Sequence, residues 1–287
     1  MKKLLVCVVA LGALSATFAA ASDLPTRKPA PVFVAPATNW GGFYIGGNVG
    51  YGWDPASAAF DPASLAKTVL TGPLGPYTIS GSSGPQSLSV HPQGWLGGAQ
   101  VGYNWQQNAL VFGLEADIDW SGMKGATSAP FFVNGVTAPT LRGDLADFTG
   151  NVGLQQKVDY FGTFRGRLGW ANDALLLYGT GGFAWGHVNT SFNTFNIANA
   201  PATPGGLSAA QLAGLQVGAS SSSIRPGFAV GAGLEWKVAQ NWSVKAEYLY
   251  IDLLGGDTLT IPGGTAKAGN TSVQVARVGL NYFFGGP

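Results

Sequence analysis

The sequence predicts an all-β fold: an eight-stranded antiparallel up-and-down transmembrane β-barrel with long extracellular loops and short periplasmic turns. Three observations carry that expectation. Apolar and polar residues alternate with a period of two over segment after segment, as half-buried strands do. The connections between these segments alternate between long and tight. Charged residues make up only 10 % of the chain, against ~25 % in soluble domains, and beyond the N-terminus no apolar run approaches the length of a spanning helix.

Residues 1–21 read as a secretory signal peptide. Lys2 and Lys3 give a basic start, an apolar run follows, and Ala19-Ala20-Ala21 offers small residues for cleavage after Ala19 or Ala21. Removing Lys2 and Lys3 takes the formal charge from +1 to −1, which gives no reason to expect a nucleic-acid partner. The one cysteine, Cys7, leaves with this segment, so disulfides and thiolate metal sites are not expected. Residues 22–39 hold Pro25, Pro29, Pro31 and Pro36 and read as an extended periplasmic leader. The barrel is then expected over residues 40–287.

Its staves follow in order. Strand one, 40–53, sets Phe43, Ile45, Val49 and Tyr51 on one face. A loop over 54–92 leads to strand two, 93–106, with Trp95, Val101, Tyr103 and Trp105. Strand three, 109–120, carries Leu110, Phe112, Leu114, Ala116, Ile118 and Trp120, opposed by Glu115, Asp117 and Asp119. After a loop over 121–156, strand four, 157–170, sets Val158, Tyr160, Phe164, Leu168 and Trp170 against Asp159, Thr163, Arg165 and Arg167. Strand five, 174–188, is apolar on both faces, so its pattern does not fix a register. A third loop, 189–223, precedes strand six, 224–238, where Phe228, Val230, Leu234 and Trp236 oppose Arg225, Glu235 and Lys237. Strand seven, 242–253, opposes Val244, Ala246, Tyr248 and Tyr250 to Lys245 and Glu247. A last loop, 254–270, leads to strand eight, 271–284, where Ala276, Val278, Leu280, Tyr282 and Phe284 oppose Arg277, Gly279 and Asn281.

The apolar faces are expected to meet lipid. Five outward positions span about ten residues, which at ~3.3 Å per residue and ~40° of tilt gives roughly 25 Å, the height of a barrel's apolar band. Trp105, Trp170, Trp236 and Tyr282 close the strands that run toward the periplasm and read as a periplasmic aromatic girdle. The opposite faces bring Glu115, Asp117, Asp119, Glu235 and Glu247 together with Arg165, Arg167, Lys237, Lys245 and Arg277. Side chains fill the interior of an eight-stranded barrel, so these charges are expected to pair as a lumen network. Inward glycines, Gly46, Gly50, Gly98, Gly102, Gly231 and Gly233, leave room for the long side chains opposite. A polar plug that fixes register and a narrow solute or ion path both fit this set.

Catalytic patterns are thin. The two histidines are His91, with Ser89 nearby, and His187, with Asn189 nearby. Neither pair has the full set of nucleophile, base and orienting group, so no enzyme is expected. The glycine runs lack a nucleotide fingerprint, no loop has calcium-binding spacing, and no cofactor or metal site is expected.

The opening Asn39-Trp40-Gly41-Gly42-Phe43-Tyr44-Ile45-Gly46-Gly47 and the closing Arg277-Val278-Gly279-Leu280-Asn281-Tyr282-Phe283-Phe284 resemble those of the alphaproteobacterial outer-membrane immunogenic proteins. That family is related to opacity-type porins and to the barrel domain of outer membrane protein A. Gly113 to Ile118 and Val244 to Tyr250 fit it as well. Gly279, Leu280, Tyr282 and Phe284 then resemble the C-terminal insertion signal read by the barrel-assembly machinery. The resemblance implies a surface-exposed protein of the Gram-negative outer membrane with a role in envelope integrity and surface interaction. Its expected partners are outer-membrane lipids and lipopolysaccharide, the assembly machinery during biogenesis, and host or surface ligands through the loops.

Overall fold

The computed structural model describes residues 39–54, 70–72, 75–83, 88–137, 146–200, 207–216, 218–256, 258–261, 264–267 and 269–284. The expected signal peptide, almost all of the leader and the final three residues lie outside them.

Eight long strands follow one another antiparallel around a ring. They are β1 (Gly42–Trp53), β4 (Gln93–Gln107), β5 (Leu110–Thr137), β6 (Ala146–Asn172), β7 (Leu175–Asn199), β8 (Gly218–Lys237), β9 (Trp242–Leu253) and β12 (Thr271–Phe283). The first and last staves pair with each other, with Val49 opposite Val278, and β5 pairs with β6, so no edge of the ring is left open. Closure satisfies every ladder internally, which a hydrocarbon environment demands. Two hairpins are added: β2 (Leu70–Gly72) with β3 (Gly75–Ser83), which joins the end of β5, and β10 (Thr258–Ile261) with β11 (Gly264–Lys267). One short helix, α1 (Ala209–Gly214), lies between β7 and β8 and is capped by Ser208.

The tight turns match their chemistry. Asn108 (φ 56°) and Asp173 (φ 48°) open the two-residue connections β4–β5 and β6–β7 in the left-handed region, which short polar side chains tolerate.

The long connections depart from expectation. Much of the presumed second loop, 121–156, is strand, because β5 runs on to Thr137 and β6 starts at Ala146. Likewise β7 continues to Asn199 and β8 begins at Gly218, while the first and last loops hold the added hairpins. Past the lipid belt the outer face meets water, so the greasy half of the alternation disappears and the sequence reads as loop.

Strand four is also corrected. Val158 is buried inside the barrel rather than on the lipid face. The cause is a bulge: Val158 pairs with Val188 and Tyr160 with His187, leaving Asp159 as an extra residue. That extra residue inverts the alternation for everything beyond it. For β7 the pairing settles the register, with Leu176, Tyr178, Ala184 and Val188 inside and Leu175, Leu177 and Phe183 outside.

The interior is layered. Nearest the periplasm, Trp40, Tyr44, Val111, Leu176, Tyr178 and Phe283 pack together. Charged residues follow. Beyond them, and unforeseen in the sequence, comes an apolar layer that includes Leu96, Met123, Val158, Phe161, Leu249, Ile251, Leu253, Val273 and Val275. Gln156, Thr190, Arg225 and Thr271 make a polar row above it. Leu88, Val90, Val152, Leu154 and Phe192 form a further apolar cluster between the extended strands.

Phe161 is only 1 % exposed within the apolar layer. Phe161→Ala is expected to destabilise the folded barrel by about 3–5 kcal/mol, measurable by urea titration in lipid vesicles with tryptophan fluorescence as the readout.

Candidate functional site: the charge network of the lumen

Each charged member of the network occupies an inward position on a stave. On β5 these are Glu115, Asp117 and Asp119; on β6, Arg165 and Arg167; on β8, Glu235; on β9, Lys245 and Glu247; on β12, Arg277. Adjacent strands bring part of the set together by register, since Glu115 stands opposite Arg165 and Glu247 opposite Arg277. Arg165–Asp117 and Arg167–Glu115 also join neighbouring strands, while Arg165–Glu247, Lys245–Glu115 and the Arg277 contacts with Asp117 and Asp119 cross the lumen.

Arg165 reaches Glu115 at 2.7 Å, Asp117 at 2.8 Å and Glu247 at 3.1 Å. Arg277 reaches Asp119 at 2.6 Å, Glu247 at 2.6 Å and Asp117 at 3.1 Å. Arg167 joins Glu235 at 2.9 Å to Glu115 at 3.3 Å, and Lys245 donates to Glu115 at 2.9 Å. All these side chains are almost wholly removed from solvent.

Lys237 is the exception among the residues expected here. Its ammonium donates to the Asn39 carbonyl at 2.7 Å and sits over the rings of Phe283 (4.4 Å) and Trp40 (5.4 Å), at the periplasmic mouth. It ends β8 two residues below Glu235, past the charged layer, so inward direction alone did not place it in the network. The buried set is therefore five carboxylates facing four cations.

Neutral donors that the sequence reading missed add to the carboxylate shells, while Asp117 Oδ1 and Asp119 Oδ1 stay without a hydrogen-bond partner among the described residues. Tyr44 Oη donates to Glu115 at 2.6 Å and Tyr178 Oη to Glu247 at 3.0 Å. Thr163 donates to Asp117 at 2.7 Å and Asn281 to Glu235 at 2.7 Å, and Ser243 also donates to Glu235. The Arg167 guanidinium lies over the rings of Tyr44 (5.0 Å) and Tyr178 (4.9 Å), two cation–π contacts. Inward glycines make this crowding feasible. A Cβ on Gly233 would stand 2.6 Å from Tyr178 Oη, and one on Gly113 would stand 2.8 Å from Arg167 Cγ. The signal was available for Tyr44, which sits at inward parity opposite Gly102, but not for Tyr178, whose place opposite Gly233 rests on a strand register that the sequence pattern does not fix.

On the outside, Trp105, Trp170 and Trp236 are 50 %, 54 % and 59 % exposed near the tight-turn rim. Tyr282 lies in the same outward row, partly covered by Trp242 (ring centroids 5.0 Å) and Phe284 (5.2 Å). In the last strand Leu280 faces outward and Gly279 inward, and the Phe284 N–H donates to the Phe43 carbonyl at 2.9 Å. Among the described residues no group of three or more His, Cys, Asp or Glu side chains is arranged to hold a metal ion.

The model of the outer membrane protein beta-barrel domain matches residues 7–284. The 31 kDa outer-membrane immunogenic protein of Brucella melitensis is 33 % identical over 283 residues, covering 97 % of this chain and 99 % of that protein. The 25 kDa outer-membrane immunogenic protein of Brucella abortus is 27 % identical over 286 residues, covering 99 % of each. Among solved structures, the outer membrane protein OprG of Pseudomonas aeruginosa aligns over 85 % of this chain and 97 % of its own, with 13 % identity and a TM-score of 0.39. The chain therefore belongs to the outer membrane protein β-barrel domain family, and its place is the outer membrane of a Gram-negative bacterium.

Proposed function

We propose that this protein is a closed barrel with a structural and surface-interaction role, its lumen sealed by the salt-bridge network and its extended strands presented to the exterior. The observation that carries the reading is the stacking of two layers of different chemistry across one narrow lumen. A hydrated ion would have to break the Arg165 and Arg277 contacts, then cross the apolar layer of Phe161, Leu249, Leu253 and Val275. The first barrier is electrostatic and the second is desolvation. Lys237, Phe283 and Trp40 add a third obstruction at the periplasmic mouth. No chemical step is assigned to the lumen.

The exterior supports the rest of the proposal. Trp105, Trp170, Trp236 and Tyr282 serve as the girdle that seats the barrel among outer-membrane lipids and lipopolysaccharide. Gly279, Leu280, Tyr282 and Phe284 serve as the insertion signal met by the assembly machinery. The long β5–β6 and β7–β8 extensions are the surface offered to host or environmental ligands.

In planar bilayers the purified protein is expected to give no stable openings; steady, large conductance would replace this reading with that of a narrow porin. Arg165→Met removes one of the two guanidiniums that Glu115, Asp117 and Glu247 share, leaving Arg277 and Lys245 to hold all three, and a loss of about 3–5 kcal/mol is expected. Arg167→Met acts in the same direction through Glu115 and Glu235. Heat-modifiability on gels checks both, with the folded band expected to disappear at a lower temperature than in the wild type.

A further inference from the structure

The exterior of β6, β7 and β8 carries a second polar cluster, on the face opposite to the lumen network. On β8 the outward residues run Trp236, Leu234, Val230, Phe228 and Ile224, then change to Ser222 and Ser220. That change marks the outer limit of the apolar belt. One row of residues crosses four strands just above it: Lys124 stands opposite Lys157, Lys157 opposite Asn189, and Asn189 opposite Ser222. The row beneath pairs Tyr160 with His187 and His187 with Ile224. Between the two rows, the bulge aims Asp159 outward.

His187 joins these elements. Its Nδ1 lies 3.0 Å from Asp159 Oδ2, and its Nε2 lies 3.0 Å from Ser222 Oγ. The ring is stacked on Tyr160 at 5.2 Å with 4° between planes, which fixes its orientation. Asn189 Nδ2 donates to the same Asp159 oxygen, and Lys157 Nζ holds the other at 2.5 Å. The Lys157 hydrogen bond, joined by that of His187, keeps the Asp159 carboxyl below its ordinary range and therefore ionised at neutral pH. A carboxylate accepting from Nδ1–H leaves Nε2 as the acceptor for the serine proton, so nucleophile, base and orienting group stand in the required order. Sequence spacing hid this, because Asp159 and Ser222 lie 28 and 35 residues from His187 and arrive on separate strands.

We propose that Ser222, His187 and Asp159 form a serine esterase site on the outside of the barrel, taking carboxylic esters of phosphate-bearing lipids in the outer leaflet. Ser222 Oγ attacks the ester carbonyl carbon while its proton passes to His187 Nε2. The tetrahedral species collapses with cleavage of the carbonyl–alkoxy bond, and His187 returns that proton to the leaving alkoxide. Water then attacks the acyl-serine, again giving its proton to His187, which hands it back to Ser222 as the fatty acid leaves. Asn189 stands opposite Ser222 in the ladder, and the second hydrogen of the amide that binds Asp159 would serve as the oxyanion donor. Lys124 and Lys157 supply the recognition. Asp159 offsets the Lys157 charge alone, so the opposed Lys124–Lys157 pair keeps a net positive charge that favours a phosphate placed against it. Two strand spacings at about 4.8 Å each separate Lys157 from Ser222, a span that a flexible lysine and a glycerol backbone bridge. The acyl chain would lie down over Tyr160 and Ile224, which is 63 % exposed. Ester groups of a bilayer sit at this same boundary between belt and headgroups.

The test uses the full chain folded in detergent micelles, with fluorescent-acyl phosphatidylglycerol as substrate and a fluorophosphonate as active-serine probe. Wild type is expected to release fatty acid and to take up the probe, with peptide mapping placing the label on Ser222. Ser222→Ala and His187→Asn are expected to lose release by about 100-fold or more while keeping their heat-modifiable folded form. A neutral diacylglycerol is expected to react more slowly than phosphatidylglycerol, and Lys124→Met to narrow that difference. Absence of release from the wild type, undiminished release from Ser222→Ala, or label on another serine would each overturn the site. Equal rates on the two lipids would overturn its phosphate preference. Should the variants not fold, the mapped label on wild type decides the question alone.

Discussion

The structure depends on the satisfaction of nine buried charges in a space closed to water. Burying an ion costs several kcal/mol even after relaxation, and here five carboxylates and four cations share one layer of a narrow barrel. The cost is offset by sharing, since most of these charges touch more than one of opposite sign, and that sharing sets the geometry. Arg277 on β12 reaches three acids on β5 and one on β9, and Arg165 on β6 reaches the same two strands. Arg277–Glu247 and Arg165–Asp117 join neighbouring staves, whereas Arg277–Asp117, Arg277–Asp119 and Arg165–Glu247 run across the barrel. The latter therefore constrain its diameter and the registry of opposite walls, which ladder hydrogen bonds alone do not.

The imbalance of one negative charge explains the tyrosines. Tyr44 and Tyr178 are buried phenols whose hydroxyls donate to Glu115 and Glu247 while their rings contact Arg167. Each supplies a proton without adding charge, and each needs a glycine opposite to lie flat across the lumen. Glu235 is served in the same way by Ser243 and Asn281. The charged layer then rests on an apolar layer that excludes water from its outer side, which strengthens the electrostatics beneath it.

Much of this was legible in the sequence wherever one face of a strand meets lipid and the other does not. The alternation in β5 and β12 located Glu115, Asp117, Asp119 and Arg277 as inward, and the pairs Glu115–Arg165 and Asp117–Arg165 followed from strand adjacency. Three features were not legible, each for a physical reason. Inward direction carries no depth, so Lys237 looked equivalent to Glu235 although it lies beyond the layer. Period-two reading assumes an unbroken ladder, so a bulge reverses every later assignment, as it did for Val158. Above the belt both faces lose their contrast, and strands such as the outer part of β5, with Ala126, Thr127, Ser128 and Ala129, read as loop.

The bulge at Asp159 links the lumen to the outer surface. With an unbroken alternation from Arg165 and Thr163 through Phe161, the next inward residue would be Asp159, placed in the apolar layer beside Val188 and Leu253. A carboxylate there would have no cation within that layer and would lose more free energy than a lost ladder bond costs. Inserting one unpaired residue turns Val158 inward to fill the layer and leaves Asp159 on the outside. There it meets Lys157, Asn189 and His187. The same backbone irregularity thus removes a charge from the core and supplies the orienting group of the outer cluster. Dry packing inside and polar geometry outside are consequently coupled through a single residue.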